Sequence, residues 1–236
     1  MLIATRNPHK VGEIRAILGG RFGYLSLDDF PAAPEVIEDA GTFAGNATKK
    51  AVQLARWLSG NSKLKTQNSK LRYVLADDSG LEVDALAGAP GVHSARFAAL
   101  DTGGPGNSTA GENNAKLLRL LNDVPMEKRA ARFRCVLALT PVDLLQLKTQ
   151  NSKFNAPVSS PTCYADEFEM ETELFEGVCE GRIGFGPRGQ GGFGYDPLFV
   201  PDGFEETFAE LGEATKNRLS HRSMALGKLK ERLRKV

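Results

Sequence analysis

"YVLADDSG", residues 73–80, places two adjacent aspartates directly after an apolar run. The apolar residues 73–75 predict a buried strand, and Ser79 with Gly80 predicts a sharp turn at its end. Two like charges side by side are costly unless a cation offsets them. We therefore expect a divalent ion to keep Asp77 and Asp78 charged. The alternative is that one aspartate caps the turn while the other faces water.

Upstream of this stretch, the sequence predicts a strand, a tight turn and a helix. Residues 1–4 are apolar, and the helical segment after them carries Val11, Ile14 and Leu18 on one face. Asn7 suits the N-cap of this helix, and Pro8 suits its first position.

Further helices and strands are predicted along the rest of the chain. Apolar residues at helical spacing indicate helices over 47–58 and 112–121, and a last helix from Ser220 that carries Leu226, Leu229 and Leu233 inward. Alternation over 131–140 indicates a strand with Phe133, Cys135, Leu137 and Leu139 on one face, and 173–184 indicates another strand, interrupted by glycines. Helices mixed with strands in this way predict an α/β fold with a mixed sheet.

The composition favours one intracellular domain. The 236 residues are 41% hydrophobic, which is enough for a substantial core, so we expect a single domain over 1–236. The net charge of +1 gives no global field, and we expect no nucleic-acid or membrane partner. Three cysteines without CxxC spacing, together with the lack of a signal or membrane segment, predict a soluble, cytoplasmic protein.

Polar insertions interrupt this pattern. "LKTQNSK" occurs at 64–70 and again at 147–153, each time between two apolar elements. Neither copy has an apolar face, so we interpret them as insertions in surface loops rather than structural repeats. Loops are thus predicted near 60–72 and 145–165, with a third, glycine-rich loop at 101–112.

Two clusters near the amino terminus and the aspartate pair have the chemistry to hold phosphate and metal. "ATRNPHK", residues 4–10, begins a helix, whose free N–H groups and dipole favour phosphate, with Arg6 and Lys10 adding charge. Glu38 is a third carboxylate to join the aspartates, and Mg²⁺ prefers a few carboxylates plus substrate phosphates. The alternative for residues 4–10 is an ordinary capped helix.

Two clusters in the second half could hold a base and an anion. In "GQGGFGYDPLF", residues 189–199, glycines permit close backbone approach, Phe193 and Tyr195 could stack on a planar base, and Asp196 could accept its hydrogen bonds. In "KNRLSHRSMAL", residues 216–226, basic side chains gather where a helix begins, against its dipole. A flexible hairpin and a solvated basic face are the respective alternatives.

In this order, the four clusters resemble the inosine triphosphate pyrophosphatase family, also called non-canonical purine NTP pyrophosphatases. "LADDSGLEVDALAGAPGVHSARFA", residues 75–98, and "GGFGYDPLFVP", residues 191–201, are the most specific parts of the resemblance. It extends over most of the chain and omits the insertions. The family implies an elongated mixed sheet flanked by helices, in two lobes around a central cleft. It also implies a homodimer that requires Mg²⁺ and hydrolyses ITP, dITP and XTP to the monophosphate and pyrophosphate.

The resemblance also assigns roles by motif. Asp78 becomes the metal-linked general base, Lys10 a second catalytic residue, and Glu38 with Asp78 the metal ligands. Residues 5–10 are expected to hold the triphosphate and residues 193–196 the base and sugar. The implied substrate-binding residues are Thr5, Arg6, Asn7, Pro8, His9, Lys10, Ser79, Phe193, Gly194, Tyr195, Asp196, Lys216, His221 and Arg222.

The chain departs from the family pattern in three places. Arg6 and His9 replace the glycines of the TGNxGK turn. The stretch after Glu38 is one residue shorter than usual, and Gly45 stands where the family has a glutamate before the asparagine.

Selectivity would follow from hydrogen bonding to the base. Hypoxanthine and xanthine carry a 6-keto acceptor where adenine carries an amino donor, so donors from Arg222 or His221 would reject adenine. Two other functions remain compatible with the sequence, namely a pyrophosphatase for other modified nucleotides and a non-catalytic nucleotide sensor.

Overall fold

The computed structural model describes residues 1–20, 22–61, 71–104, 106–142 and 171–235. Both LKTQNSK copies and Cys163 lie outside these ranges. The predicted insertions near 60–72 and 145–165 therefore fall largely on residues that are not described, and they stay predictions, as does the single domain. No helix in the described ranges has both the length and the apolar character needed to cross a membrane.

A mixed six-stranded sheet forms the centre of the fold, as the sequence predicts. Its strands follow the order β2-β1-β3-β4-β5-β6, with β1 parallel to both neighbours and the remaining pairs antiparallel. The strands are β1 Leu2–Ile3, β2 Leu25–Ser26, β3 Tyr73–Val83, β4 Ala130–Pro141, β5 Glu173–Ile183 and β6 Phe199–Pro201.

Strand β3 does not end at the aspartate pair, so the predicted turn at Ser79 and Gly80 is wrong. The strand pairs with β4 over its whole length, with Asp77 opposite Leu137 and Gly80 opposite Arg134. A Cβ on Gly80 would lie 2.4 Å from the Oγ atom of Ser94. The glycine is needed because another segment crosses the strand there, and not because the chain turns.

Five α-helices pack around the sheet in the described ranges, and the helices that the sequence predicts are confirmed. Each begins with an N-cap side chain whose oxygen accepts a hydrogen bond from a backbone N–H of the first turn. One of them begins at Ala110, so the loop predicted over 101–112 is wrong for its last residues. The helices are α1 Pro8–Leu18, α2 Phe43–Gly60, α3 Ala110–Leu120, α4 Phe208–Leu219 and α5 His221–Leu233.

Strand β5 is continuous, so the predicted interruption by glycines is also wrong. Gly177 lies opposite Cys135 in the sheet. A Cβ on Gly177 would lie only 2.0 Å from the carbonyl oxygen of His221, the first residue of α5. The missing side chain allows the start of α5 to lie directly against the sheet.

Side chains alternate along β3, so its two faces contact different helices. Leu75 belongs to a core cluster with Ile14 of α1 and Leu226 of α5. Ala76 belongs to a separate cluster with Ala47 and other residues of α2. The two neighbouring aspartates that follow therefore point to opposite faces of the sheet.

Candidate active site

Asp77 lies on the α1 and α5 face of the sheet and is fully paired. It accepts hydrogen bonds from Lys10, from the Nε atom of Arg222 at 2.8 Å and from the Oγ atom of Ser79 at 3.0 Å. The Sγ atom of Cys135 adds a weaker contact at 3.4 Å. Burial alone would raise the pKa of Asp77, but the charges of Arg222 and Lys10 hold it well below its usual value. The expectation that a metal ion keeps Asp77 charged is therefore wrong, because protein cations do so.

Asp78 lies on the α2 face, and one of its carboxylate oxygens is left without a hydrogen bond among the described residues. The residue is only 7% exposed, and its Oδ2 atom has no hydrogen-bond partner among the described residues. Burial raises the pKa of this carboxyl to about 6, with Lys10 opposing the shift and Glu38 adding to it. The Asn46 side chain lies close enough to lower the pKa slightly, yet the two groups do not form a hydrogen bond of normal geometry.

Two α2 side chains near Asp78 were missed by the sequence analysis. Asn46 is fully buried, with its Oδ1 atom held by the backbone N–H of Ala40 at 2.9 Å. One turn later, Lys50 pairs with Glu38 at 2.6 Å and donates to the carbonyl oxygen of Asp77 at 3.2 Å. Their spacing of four residues was the available signal, since it places both on one helix face.

A chain of alternating charges continues from Asp77 on the other face. Arg222 is 1% exposed and joins Asp77 to Glu13 of α1. Glu13 in turn pairs with Lys216 at 3.0 Å, and Lys216 with Asp196 at 2.6 Å. Glu13 was also missed, although its position three residues after Lys10 places both on one side of α1.

The turn at residues 5–10 is fixed by its own hydrogen bonds. The Oδ1 atom of Asn7 accepts from the N–H groups of His9 at 2.9 Å and Lys10 at 3.4 Å, and Pro8 has no N–H group. Thr5 accepts from the N–H of Asn7 at 3.1 Å. Because the amides of His9 and Lys10 are occupied, the prediction that they are free for phosphate is wrong. Side-chain charge from Lys10, and from the exposed Arg6, remains available.

The glycine-rich segment presents one aromatic ring to the site and buries the other. Tyr195 is 4% exposed, and its hydroxyl donates to the carbonyl oxygen of Ser94 at 2.8 Å. It cannot stack on a base from this position, so the expectation for Tyr195 is corrected to a structural role. Phe193 is half-buried, with the Nζ atom of Lys216 at 4.3 Å from its ring centre. Asp196 holds this arrangement by accepting from the N–H of Phe193 at 2.8 Å.

His221 lies beneath the site in a buried and electropositive position. Its ring stacks on Phe133 with 4.8 Å between ring centres, and its Nδ1 atom has no hydrogen-bond partner among the described residues. Burial and the charge of Arg222 hold the pKa of His221 well below its usual value. The imidazole is therefore neutral at physiological pH.

The donor set around Asp78 fits a magnesium ion that shares its ligands with a substrate. Glu38 and Asp78 are the nearby carboxylates, and no group of three or more His, Cys, Asp or Glu residues within the described ranges forms a complete metal site. Mg²⁺ is usually held by one or two carboxylates with water and phosphate oxygens as its other ligands. The unpaired Oδ2 atom of Asp78 supplies a free ligand of this kind.

Most of the predicted residues are thus brought together around the middle of β3. Lys10 and Ser79 contact Asp77, Arg222 contacts both Asp77 and Ser79, and Phe193 lies over Lys216. These cations and the aromatic ring lie on one face of the sheet, and Asp78, with an oxygen unpaired among the described residues, lies on the other face within the influence of Lys10. Such a set can bind a polyphosphate, activate water and hold a flat base.

Comparison with known proteins shows similarity over nearly the whole chain. Residues 1–232 match the model of the Ham1 family. A protein of Shouchella clausii called dITP/XTP pyrophosphatase is 41% identical over 236 residues, covering 100% of this chain and 97% of that protein. A protein of Geobacter sulfurreducens with the same name is 43% identical over 234 residues, covering 99% of this chain and 96% of that protein.

A solved structure supports the same grouping. The HAM1 protein from Coxiella burnetii superposes with a TM-score of 0.72 at 32% identity, covering 100% of this chain and 98% of that one.

Proposed function

Because the chain belongs to the Ham1 family, we propose that it is a nucleoside triphosphate pyrophosphatase that hydrolyses ITP, dITP and XTP to the monophosphate and pyrophosphate. Its relatives named dITP/XTP pyrophosphatase support this substrate class. The observation that carries the proposal is Asp78, a buried carboxylate with an unpaired oxygen that lies within the influence of Lys10, Lys50 and Glu38. The enzyme would act in the cytoplasm on the nucleotide pool, and as a homodimer.

In the proposed mechanism, water attacks the α-phosphorus and the bond to the bridging oxygen of the β-phosphate breaks. The carboxylate of Asp78 accepts the proton of the attacking water, since it is buried within the influence of Lys10 and Lys50 and has an oxygen that is unpaired among the described residues. Lys10 and Lys50 would offset the charge of the polyphosphate and of the pyrophosphate leaving group.

Glu38 and Asp78 would hold Mg²⁺ together with phosphate oxygens of the substrate. When bound, the ion supplies positive charge to those oxygens and lowers the pKa of water. Lys50 now pairs with Glu38 at 2.6 Å, so it would pass from this carboxylate to the phosphates as the ion binds.

The base would lie on the side of Phe193, Lys216 and His221. Within the described ranges, the Nδ1 atom of His221 has no hydrogen-bond partner, whereas the Nε, NH1 and NH2 atoms of Arg222 all donate to Asp77, Glu13 or Ser79. We therefore favour His221 over Arg222 as the donor to the 6-keto oxygen. A purine with an amino group at that position would leave this buried donor unpaired, and such a site can discriminate by about 10⁴-fold.

Release of pyrophosphate from ITP, dITP, XTP, ATP and GTP, with and without Mg²⁺, tests this proposal. We expect kcat/KM for the first three to exceed that for ATP by at least about 10²-fold, and release to require the ion. Equal rates on all five nucleotides would contradict the substrate assignment. Binding of ITP without any release would favour a nucleotide sensor instead.

A further inference from the structure

Both faces of the Phe193 ring are covered in the free protein. The imidazole of His9 stacks on it, with 5.3 Å between ring centres and 17° between planes. The Nζ atom of Lys216 lies 4.3 Å from the same ring centre. Lys216 is 3% exposed whereas His9 is exposed, so the lysine approaches the ring from the protein interior and the histidine from the solvent side, which we call its inner and outer faces.

The inner face is held by fixed partners. Lys216 is bound by Asp196 at 2.6 Å and by Glu13 at 3.0 Å. The Phe193 backbone donates to the same Asp196 carboxylate, and the next carbonyl, that of Gly194, accepts from Asn114 at 3.1 Å. A base cannot reach this face without breaking a buried ion pair, which is costly.

The outer face is covered by a side chain that is free to move. Among the described residues, the His9 imidazole has the Phe193 contact but no hydrogen bond or ion pair. Its backbone N–H stays bonded to Asn7 at 2.9 Å, so the side chain can rotate without disturbing the start of α1. A flat base that stacks on Phe193 must therefore replace His9.

We propose that His9 occupies, in the free protein, the face of Phe193 on which the purine stacks, and that it swings away as the base binds. The inference rests on the proposed function only in placing the base at Phe193. Binding of the base then includes the loss of one ring contact, so His9 lowers the affinity for purine nucleotides. A glycine, which the TGNxGK pattern has at this position, would make no such contact.

The decisive measurement is the affinity of His9→Ala for inosine monophosphate, determined by calorimetry without Mg²⁺. A stacked aromatic pair is strong enough that its removal should tighten binding by about two- to tenfold. Binding of inorganic tripolyphosphate, which has no base, should stay within twofold of wild type. Alanine is a good helix former, so α1 is expected to remain intact.

A double-mutant cycle separates this role from a general structural one. Phe193→Ala should weaken binding of inosine monophosphate, and in that background His9→Ala should give no gain, because the ring that it uncovers is gone. His93→Ala, which removes another exposed histidine outside the site, is the matched control and should leave both affinities unchanged.

The proposal is overturned if His9→Ala weakens either ligand, since His9 would then bind substrate. It is also overturned if the gain is less than twofold or persists without Phe193. None of these measurements uses turnover, so a failure of the pyrophosphatase assay would not be mistaken for a failure of this inference.

Discussion

Asp77 and Asp78 are neighbours on one strand, yet the two faces of the sheet treat them in opposite ways. On the α1 and α5 face, Asp77 begins a chain of three carboxylates and three cations, in which each charge meets an opposite one. On the α2 face, neither the Oδ2 atom of Asp78 nor the amide nitrogen of Asn46 has a hydrogen-bond partner in the part of the chain that the structure describes.

This difference shows how one strand can serve both architecture and chemistry. The paired face is complete without a ligand, so it fixes where Lys10, Lys216 and Arg222 lie. The unpaired face is incomplete, and a cation with its substrate would complete it. Desolvation acts on both aspartates, and the partners decide the sign of each pKa shift.

The largest expected difference between the aspartates is in turnover. Asp78→Asn removes the proposed general base and a metal ligand, and it should lower kcat for ITP by about 10³-fold or more. Pyrophosphate release measures the effect, and circular dichroism shows whether the variant is folded. If a folded Asp78→Asn protein kept turnover within tenfold of wild type, the role of Asp78 would be lost.

The next difference is in stability. Asp77→Asn leaves Arg222 and Lys10 without their shared charge, and breaking a buried ion pair costs about 3–5 kcal/mol of the free energy of unfolding. Urea unfolding at pH 7 measures the loss. Asp39→Asn, which affects an exposed pair with Lys49, is the control and should change little. A stability equal to that of the control would show that the network on this face is not needed.

The smallest expected effect is a gain in stability for Asp78→Asn, opposite in sign to the loss expected for Asp77→Asn. Burial raises the pKa of Asp78 from its ordinary value of 3.8 to about 6 in the folded state, so the ionised carboxyl destabilises the fold, fully so above about pH 6. In EDTA at pH 7, Asp78→Asn should therefore raise the free energy of unfolding by about 1–3 kcal/mol. The gain should shrink as the pH falls through the folded-state pKa and vanish near pH 4. A loss of stability at pH 7 would remove the contrast between the two faces.

Much of the fold followed from local patterns. Apolar spacing placed α1, α2, α3 and α5, and alternation placed β4, because these signals lie within a few neighbouring residues. The helix α4 was not predicted. The long motifs around residues 75–98 and 191–201 identified the family, which the comparison confirms. Two of the failures concern glycine. Gly80 and Gly177 were interpreted as breaks, but each permits a close crossing by a segment distant in sequence.

The site was predicted less completely, because it too depends on contacts between segments that are distant in sequence. Motifs identified Asp78, Lys10 and Lys216 as candidate site residues. The structure places Lys10 and Lys216 in the charged network of the α1 and α5 face, and Asp78 on the opposite face, where the charge of Lys10 still acts on it. Asn46, Lys50 and Glu13 were missed because their importance depends on which strand their helices face. The burial of Tyr195 could not be read from the sequence, since an aromatic ring in a glycine-rich segment fits a core and a binding surface equally well.

Gly177 determines how closely the Arg222 side chain of α5 can approach Asp77. Any larger residue there would lift the first turn of α5 off the sheet, and Arg222 would withdraw from Asp77 with it. Because Gly177 has no Cβ atom, α5 lies close enough to β5 for Arg222 to reach Asp77. Substitution of Gly177 is therefore limited by a network of ion pairs that Gly177 does not contact. A larger residue introduced there to improve packing would separate Asp77 and Lys10 from the rest of this network.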